Sequence, residues 1–355
     1  MEFGVCVASR VSDIDYVVVA EELGFTHAWM ADSQMLWSDC YACLALAADR
    51  TSTIKLGTGV AIAGTRPASV NAAGIATINT IAPGRTFFGV GAGNTAMRVM
   101  GLPPVKIAPF DRYLGEVGPL LRGQETLAYQ GEATTPIRHI MPERGFVNFA
   151  DEIPMYVSGF GAKSLGLAGK HGDGAVLGML PDPGVLEYVW QMIETGAAAA
   201  NRTIARESFY TTMLTTMTVL RKGEAITSDR VKSQCGAMAM AGIHFAYDQW
   251  RNFGKKPPQY MDEIWHDYTA LLETFPEERR HQRIHAGHNC WVIPEEEQFL
   301  TEVVLRATCM IGTKTELAAR IAGYEAAGLN QIMLLPNLET SRDVLTEVSA
   351  SLING

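Results

Sequence analysis

Three features are scarce in this 355-residue sequence: basic residues, cysteines and long apolar runs. Lys and Arg number 29 against 38 Asp and Glu, so the net charge is −9 and no basic patch is present. Nucleic acid and anionic membranes are therefore excluded as expected partners. No apolar run approaches the length of a membrane-spanning helix, and the opening residues follow a strand pattern rather than that of a secretory leader. We expect a cytoplasmic protein.

The six cysteines are few and scattered, which is typical of free, buried thiols in a reducing compartment. Cys40 and Cys43 form a C-x-x-C pair, but the surrounding pattern is helical and the pair does not stand at a helix start. The pattern therefore predicts a packing role rather than redox chemistry. His281, His285 and His288 have spacings of four and three residues, but no acidic ligand accompanies them, so no metal is expected.

Apolar residues make up 47% of the chain and charged residues 19%, which is enough for a large core. The stretch 54–94 reads as an apolar strand, a small-residue helix and a second apolar strand. A helix between two buried strands makes a βαβ unit, whose strands pair in parallel. The length suits a (β/α)₈ barrel with insertions.

The alternation of strands and helices continues along the chain, so we predict an α/β fold, a TIM (β/α)₈ barrel formed by a single domain over residues 1–355. The predicted strands are 3–8, 26–30, 54–62, 86–90, 153–158, 173–177, 209–220 and 330–335. The longest insertion, about 223–311, lies between strands seven and eight, with predicted helices at 229–247 and 260–272. Insertions of this length are usually lids or partner surfaces.

Glycines stand at the carboxyl ends of the third and fourth predicted strands. They are Gly57 and Gly59 in the third strand, and Gly91 and Gly93 after the fourth. Parallel barrels bind ligands at the carboxyl ends of their strands, and a residue without Cβ lets a flat ring approach the backbone. The sequence therefore predicts a ligand site at this edge of the barrel.

Five segments, in this order, resemble the bacterial luciferase-like family of flavin-dependent oxidoreductases. They are GFTHAWMAD (24–32), KLGTGV (55–60), APGRTFFGVGAG (82–93), VSGFGAKS (157–164) and TCMIGTKTELA (308–318). The closest likeness is to the branch with the methylenetetrahydromethanopterin reductases. The resemblance implies a TIM barrel that binds reduced FMN or the related 8-hydroxy-5-deazaflavin, coenzyme F420.

The resemblance also implies a cofactor site at matching positions. Its expected members are Gly59, Val60, Ala61, Gly91, Gly93, Asn94, Ser158, Gly159, Phe160, Gly161, Ala162, Lys163, Gly178 and Met179. The family carries a non-prolyl cis peptide behind the flavin ring, and the matching bond is Gly59–Val60. The turn 158–164 opens a helix, whose free N–H groups can hold a phosphate, with Lys163 adding charge.

One departure from the family pattern concerns the catalytic residues. Many relatives carry a histidine after the Asp that ends strand two, whereas Asp32 is followed by Ser33, a poor general base. His285 or His288, from the insertion, is our hypothesis for the missing imidazole. Arg66 reaches either the flavin or substrate, or else forms a surface salt bridge.

The preferred function is that of an FMNH₂-dependent two-component monooxygenase, which attacks a small organic substrate through a flavin C4a-(hydro)peroxide. It would use O₂ and a separate flavin reductase, since the sequence shows no nicotinamide site. The first alternative is F420-dependent hydride transfer, and the second is a non-catalytic flavin-binding or partner protein. The resemblance further implies a homodimer or a higher homo-oligomer.

Overall fold

A computed structural model describes all residues, 1–355. The strands are β1 (Glu2–Val5), β2 (His27–Met30), β3 (Lys55–Thr58), β4 (Ala61–Ile62), β5 (Thr86–Gly91), β6 (Thr126–Gln130), β7 (Ala133–Ile137), β8 (Met155–Ser158), β9 (Gly174–Leu177), β10 (Tyr210–Thr215), β11 (Met217–Val219), β12 (Met310–Gly312) and β13 (Gln331–Leu334). The helices are α1 (Tyr16–Glu22), α2 (Cys40–Arg50), α3 (Ala68–Ile81), α4 (Asn94–Arg98), α5 (Ile107–Leu121), α6 (Ala162–His171), α7 (Val185–Ala199), α8 (Asp229–Phe253), α9 (Trp265–Glu273), α10 (Arg280–Arg283), α11 (Glu302–Thr308), α12 (Lys314–Ala326) and α13 (Ser341–Val348).

Eight parallel strands close into a barrel. Their order around it is β1, β2, β3, β5, β8, β9, β10 and β13, with β13 pairing again with β1. Helices between consecutive strands cover the outside, as right-handed crossovers require. The prediction of a TIM barrel, with its longest insertion between the seventh and eighth barrel strands, is confirmed.

Aromatic side chains fill the interior of the barrel. The ring of Trp29 lies 4.3 Å from that of Phe87, whose ring lies 5.5 Å from that of Tyr156. Tyr156 in turn stacks on Tyr210 at 5.1 Å. Trp29 and Phe87 are almost fully buried. The interior is therefore a packed core rather than a channel.

Two predicted strands are each divided in the structure. The third is interrupted at Gly59 and Val60, between β3 and β4. The seventh is interrupted at Thr216: β10 belongs to the barrel, whereas β11 leaves it and pairs in parallel with β12. In both strands the residue types are similar on the two sides of the break and most of the residues are buried, so the sequence gives no sign of the interruption.

The insertion forms a covering with a small hydrophobic core of its own. Buried side chains of α8 and α9, such as Ile243, Tyr247 and Tyr268, pack together there. Helix α8 runs to Phe253, six residues beyond its predicted end, and α9 begins at Trp265 rather than at 260. The assignment of residues 1–355 to a single domain stays a prediction.

The C-x-x-C pair lies at the beginning of α2, so the prediction that it stands away from a helix start is wrong. Cys40 is the first residue of the helix, which Asp39 caps by accepting hydrogen bonds from the N–H groups of Tyr41 and Ala42. Both thiols are free and buried, and burial raises the pKa of Cys43 to about 11. Protonated, buried thiols fit the packing role that we predicted.

No helix in this fold combines the length and the apolar character that crossing a membrane requires.

A substitution at Gly89 of β5 can test how closely the barrel strands approach one another. A Cβ added there would lie 2.2 Å from the carbonyl oxygen of Thr58, whereas one added to exposed Gly115 of α5 would meet no atom closer than 3.7 Å. We expect Gly89→Ala to lower the free energy of unfolding by about 3 kcal/mol, through overpacking against rigid backbone. Gly115→Ala, the control, is expected to raise it by up to about 1 kcal/mol, because Ala favours helix. Denaturant unfolding measures both, and equal stabilities would contradict the close approach.

Candidate active site

A cavity of about 580 Å³ opens at the carboxyl ends of the barrel strands. Its floor and walls come from the ends of β2, β3, β5 and β8, and its roof comes from α8 and the segment after α10. The predicted site residues that line it are Asp32, Ser33, Gly59, Val60, Gly91, Gly93, Asn94, Ser158, Phe160, Gly161 and His288. The other predicted site residues lie outside its lining: Ala61, Arg66, Gly159, Ala162, Lys163, Gly178, Met179 and His285.

Glycines shape the floor of the cavity. A Cβ on Gly91 would lie 2.8 Å from Cγ2 of Val60, and one on Gly59 would lie 2.6 Å from Cβ of Trp29. A side chain at either position would therefore push into its neighbours. The Gly59–Val60 peptide is cis, as the resemblance implies.

The turn before α6 forms one end of the cavity. Gly161 is the N-cap of this ten-residue helix, and its N–H donates to Oγ of Ser164 at 3.2 Å. A Cβ added to Gly161 would meet no atom within 4 Å. Lys163 is exposed and stands outside the lining, and Gly178 lies behind the ring of Phe160. The free N–H groups at this helix end are suited to an anion.

Arg66 binds protein carboxylates rather than projecting into the cavity. Its guanidinium forms an ion pair with Asp32, whose side chain is almost fully buried, and a second one with Asp39 at 2.7 Å. Asp39 also caps α2. Of the two alternatives for Arg66, the structure therefore shows the salt bridge. It is a partly buried one, which joins the end of β2 to the start of α2.

His288 is the imidazole that reaches the cavity. Its Nε2 lies 3.2 Å from Oγ1 of Thr95, and its ring lies 6.2 Å from that of Trp37. Trp37 donates in turn to the thiol of Cys290, which attaches this part of the insertion to the loop after β2. Ser33, where relatives carry histidine, lines the same cavity.

His285 stands behind His288 and does not line the cavity. Its ring lies 5.4 Å from that of His288, and its Nδ1 bonds to the carbonyl oxygen of His281 at 2.7 Å. Burial lowers the pKa of His285 to about 4, and burial also lowers the pKa of His288 well below its usual range. Both imidazoles are therefore neutral near pH 7.

Two polar atoms at the cavity roof have no hydrogen-bond partner in the protein. They are Nδ1 of His288 and Oδ1 of Asn289. Asn289 lines the cavity, is 8% exposed and has a φ of 53°. Buried polar groups are nearly always paired with protein or with ordered water, so a water molecule or a ligand would satisfy these two atoms.

The cavity residues that α8 and the loop after it contribute were not predicted from the sequence. Gly242, Phe245, Ala246 and Gln249 line the roof at helical spacing, followed by Lys255 and Lys256. The i, i+3, i+4 pattern marks one face of a helix, but such a face is more often packed against a core. Only the tertiary position of α8 shows that this face covers a cavity.

A packed, closed barrel with a glycine-lined cavity at the carboxyl ends of its strands defines the TIM-barrel class of enzymes. The family model described as "Luciferase-like monooxygenase" matches residues 1–331, and the chain belongs to that family. The expected resemblance to this family is confirmed.

Named relatives match parts of the chain. The 5,10-methylenetetrahydromethanopterin reductase of Methanopyrus kandleri is 34% identical over 201 residues, which cover 53% of this chain and 57% of that protein. The F420-dependent glucose-6-phosphate dehydrogenase of Intrasporangium calvum is 28% identical over 179 residues, covering 46% of this chain and 52% of that protein. The match spans little more than half the length of these relatives.

Solved structures share the fold over nearly the whole chain. The coenzyme F420 dependent tetrahydromethanopterin reductase of M. kandleri has a TM-score of 0.70 at 21% identity, covering 99% of this chain and 98% of its own. The oxygenating constituent of 3,6-diketocamphane monooxygenase from Pseudomonas putida, in complex with FMN, has a TM-score of 0.62 at 14% identity with the same coverage. At these identities the likeness establishes the fold.

The contribution of the Arg66–Asp32 pair to stability can be tested by removing the positive charge of Arg66. Arg66→Gln is expected to lower the free energy of unfolding by about 3 kcal/mol, because it leaves the buried carboxylate of Asp32 unpaired. Arg50→Gln is the matched control: Arg50 pairs with Asp15 at 2.6 Å, but the two side chains are 42% and 66% exposed. Exposed pairs contribute at most about 1 kcal/mol. Equal losses in denaturant unfolding would show that the Asp32 pair does not stabilise the fold.

Proposed function

We propose that this protein transfers a hydride between coenzyme F420, bound in the cavity, and a small organic substrate. The observation that carries the proposal is the cavity itself. Its floor is cleared of side chains at Gly59 and Gly91, and the N-terminus of α6 stands at one end. A flat ring on bare backbone, with a phosphate at a helix N-terminus, suits this shape.

The relatives support the deazaflavin over FMN. The relative from I. calvum is named as an F420-dependent dehydrogenase, and the relative from M. kandleri is named as a methylenetetrahydromethanopterin reductase. The solved reductase from M. kandleri is titled as coenzyme F420 dependent. Because the sequence match covers about half of each relative, their substrates are not transferred to this chain.

The chain's own residues bind and orient the reactants. Backbone at Gly59, Val60 and Gly91 supports the ring, and Asn94 and Ser33 offer hydrogen bonds to its edge. When bound, the deazaflavin supplies a two-electron carrier. His288, neutral in the resting site and within reach of Thr95, takes the proton that the substrate releases when it is oxidised, and the imidazolium so formed returns it in the reverse direction. Trp37 and Phe245 exclude water from the cavity.

An FMNH₂-dependent monooxygenase is the second candidate. The description of the family and the FMN complex of the diketocamphane enzyme favour it, as do the apolar walls at Trp37, Phe160 and Phe245. This function would need O₂ and a separate flavin reductase. The reductase and the homo-oligomer stay predictions in either case.

Cofactor binding separates the two candidates. We expect oxidised and reduced F420 to bind with lower Kd values than FMN and FMNH₂ in anaerobic titrations followed by absorbance and fluorescence. Saturating ligand is also expected to raise Tm, since it binds only the folded chain. Gly91→Val is the loss-of-site variant, because its side chain would occupy the floor beside Val60.

Two results would contradict the proposal. Tighter binding of FMNH₂, together with O₂ consumption during turnover, would select the monooxygenase. Binding of neither cofactor by the wild type would favour a non-catalytic barrel. Unchanged binding by Gly91→Val would show that the ligand does not lie against the floor of the cavity.

The roles of the two insertion histidines differ in this proposal. Once a substrate is in hand, His288→Ala is expected to lower kcat by about 100-fold, a typical loss for a proton-transferring group. His285→Ala, the matched control, removes an imidazole that does not line the cavity, so kcat is expected to stay within about threefold. Steady-state kinetics measure both. If both variants keep full activity, neither histidine replaces the family imidazole.

A further inference from the structure

A short basic segment after α8, residues 254–258, lies at the mouth of the cavity. Gly254 ends the helix with a φ of 64°, and the chain continues as Lys255-Lys256-Pro257-Pro258. A residue before proline is held in extended conformation, and proline itself has a fixed φ, so this segment has little freedom. Both lysines and Pro258 line the cavity.

The charges of the cavity are unbalanced at this segment. Asp32, Lys255 and Lys256 are the only Asp, Glu, Lys or Arg residues in its lining. Asp32 is neutralised by Arg66, whereas neither lysine forms an ion pair. Two uncompensated cations at one cavity are unexpected in a chain whose net charge is −9. A concave site with one sign of charge attracts a ligand of the opposite sign.

A series of contacts along α8 runs from the two lysines to the turn before α6, where the phosphate is proposed to bind. Nζ of Lys255 donates to Oε1 of Gln249 at 2.7 Å, and Gln249 also lines the cavity. One turn earlier in α8, the ring of Phe245 meets that of Phe160 edge-on at 6.4 Å. Phe160 belongs to the turn before α6. Helix α8 therefore connects the turn proposed to hold phosphate with the two lysines farther out.

We propose that Lys255 and Lys256 bind the anionic tail of the coenzyme beyond its first phosphate. FMN ends at a phosphomonoester, which the turn before α6 can hold alone. F420 continues through a phosphodiester into a tail that carries carboxylates, and these need cations outside the ring site. The lysine pair thus selects the longer coenzyme. This inference rests on the proposed function.

The test compares three ligands and three proteins. The ligands are F420 with its tail, the deazaflavin fragment that lacks phosphate and tail, and FMN; the proteins are wild type, Lys255→Gln/Lys256→Gln, and Lys222→Gln. Lys222 is an exposed lysine outside the cavity, so its variant is the control for loss of a surface lysine elsewhere on the protein. We expect the double variant to bind F420 about tenfold more weakly and the other two ligands within about twofold of wild type. Added salt should weaken F420 binding to wild type more than to the double variant.

Two results would overturn the inference: unchanged F420 binding by the double variant, or an equal loss for all three ligands. The second would mean that the substitutions disturb the cavity as a whole.

Failure of the proposed function is recognisable separately, because the wild type would then bind FMN more tightly than F420 or would bind none of the three ligands. In that case the inference about the tail fails with it, and citrate tests what remains, an anion site at the lysines. A citrate-induced rise in Tm for wild type and Lys222→Gln but not for the double variant would support that site. Equal rises in all three proteins would exclude it.

Discussion

The close approach of backbone and side chains at the top of the barrel is the constraint on which the rest of the site depends. At Gly57, Gly59 and Gly89, an added Cβ would come within 2.6 Å of the ring of Phe87, Cβ of Trp29 or the carbonyl oxygen of Thr58. Native Cβ atoms do not tolerate such distances, so these positions need glycine. With glycine at these positions, the strands fit closely against the aromatic interior, and the cavity floor above them stays free of side chains from these residues.

The barrel could be predicted from the sequence because its pattern repeats locally. Each buried strand is a short apolar run, each helix follows within a few residues, and parallel pairing fixes which ends meet. Gly59, Gly91 and Asn94 could be placed together on the same ground. The break at Thr216 could not be predicted, because the Thr- and Met-rich pattern of 209–220 continues across it while the chain leaves the barrel for β12. The role of Arg66 could not be decided from the sequence either. The partners of Arg66 lie far away in the sequence, and only the closed structure shows them.

The roof of the site could not be predicted, because its position depends on contacts inside the insertion. Glu296 is 1% exposed and receives hydrogen bonds from Arg283 at 3.1 Å and, through its other oxygen, pairs with His244 at 3.2 Å. These buried charges, with the apolar core of α8 and α9, fix the segment that carries His288 over the barrel. No local pattern in residues 283–291, RIHAGHNCW, indicates which histidine faces the cavity.

Burial gives His288 a chemistry that an exposed imidazole after β2 would not have. With its pKa far below the usual value, it is neutral in the resting site and is a weak base. An imidazolium there would be desolvated and would stand 5.4 Å from His285. The side chain of His288 is therefore better suited to donating or accepting a hydrogen bond, and to brief proton transfer, than to carrying a lasting positive charge. Ser33 lines the same cavity on the barrel side. In the function that we propose, the role of one family histidine is divided between Ser33 in the barrel and His288 in the insertion.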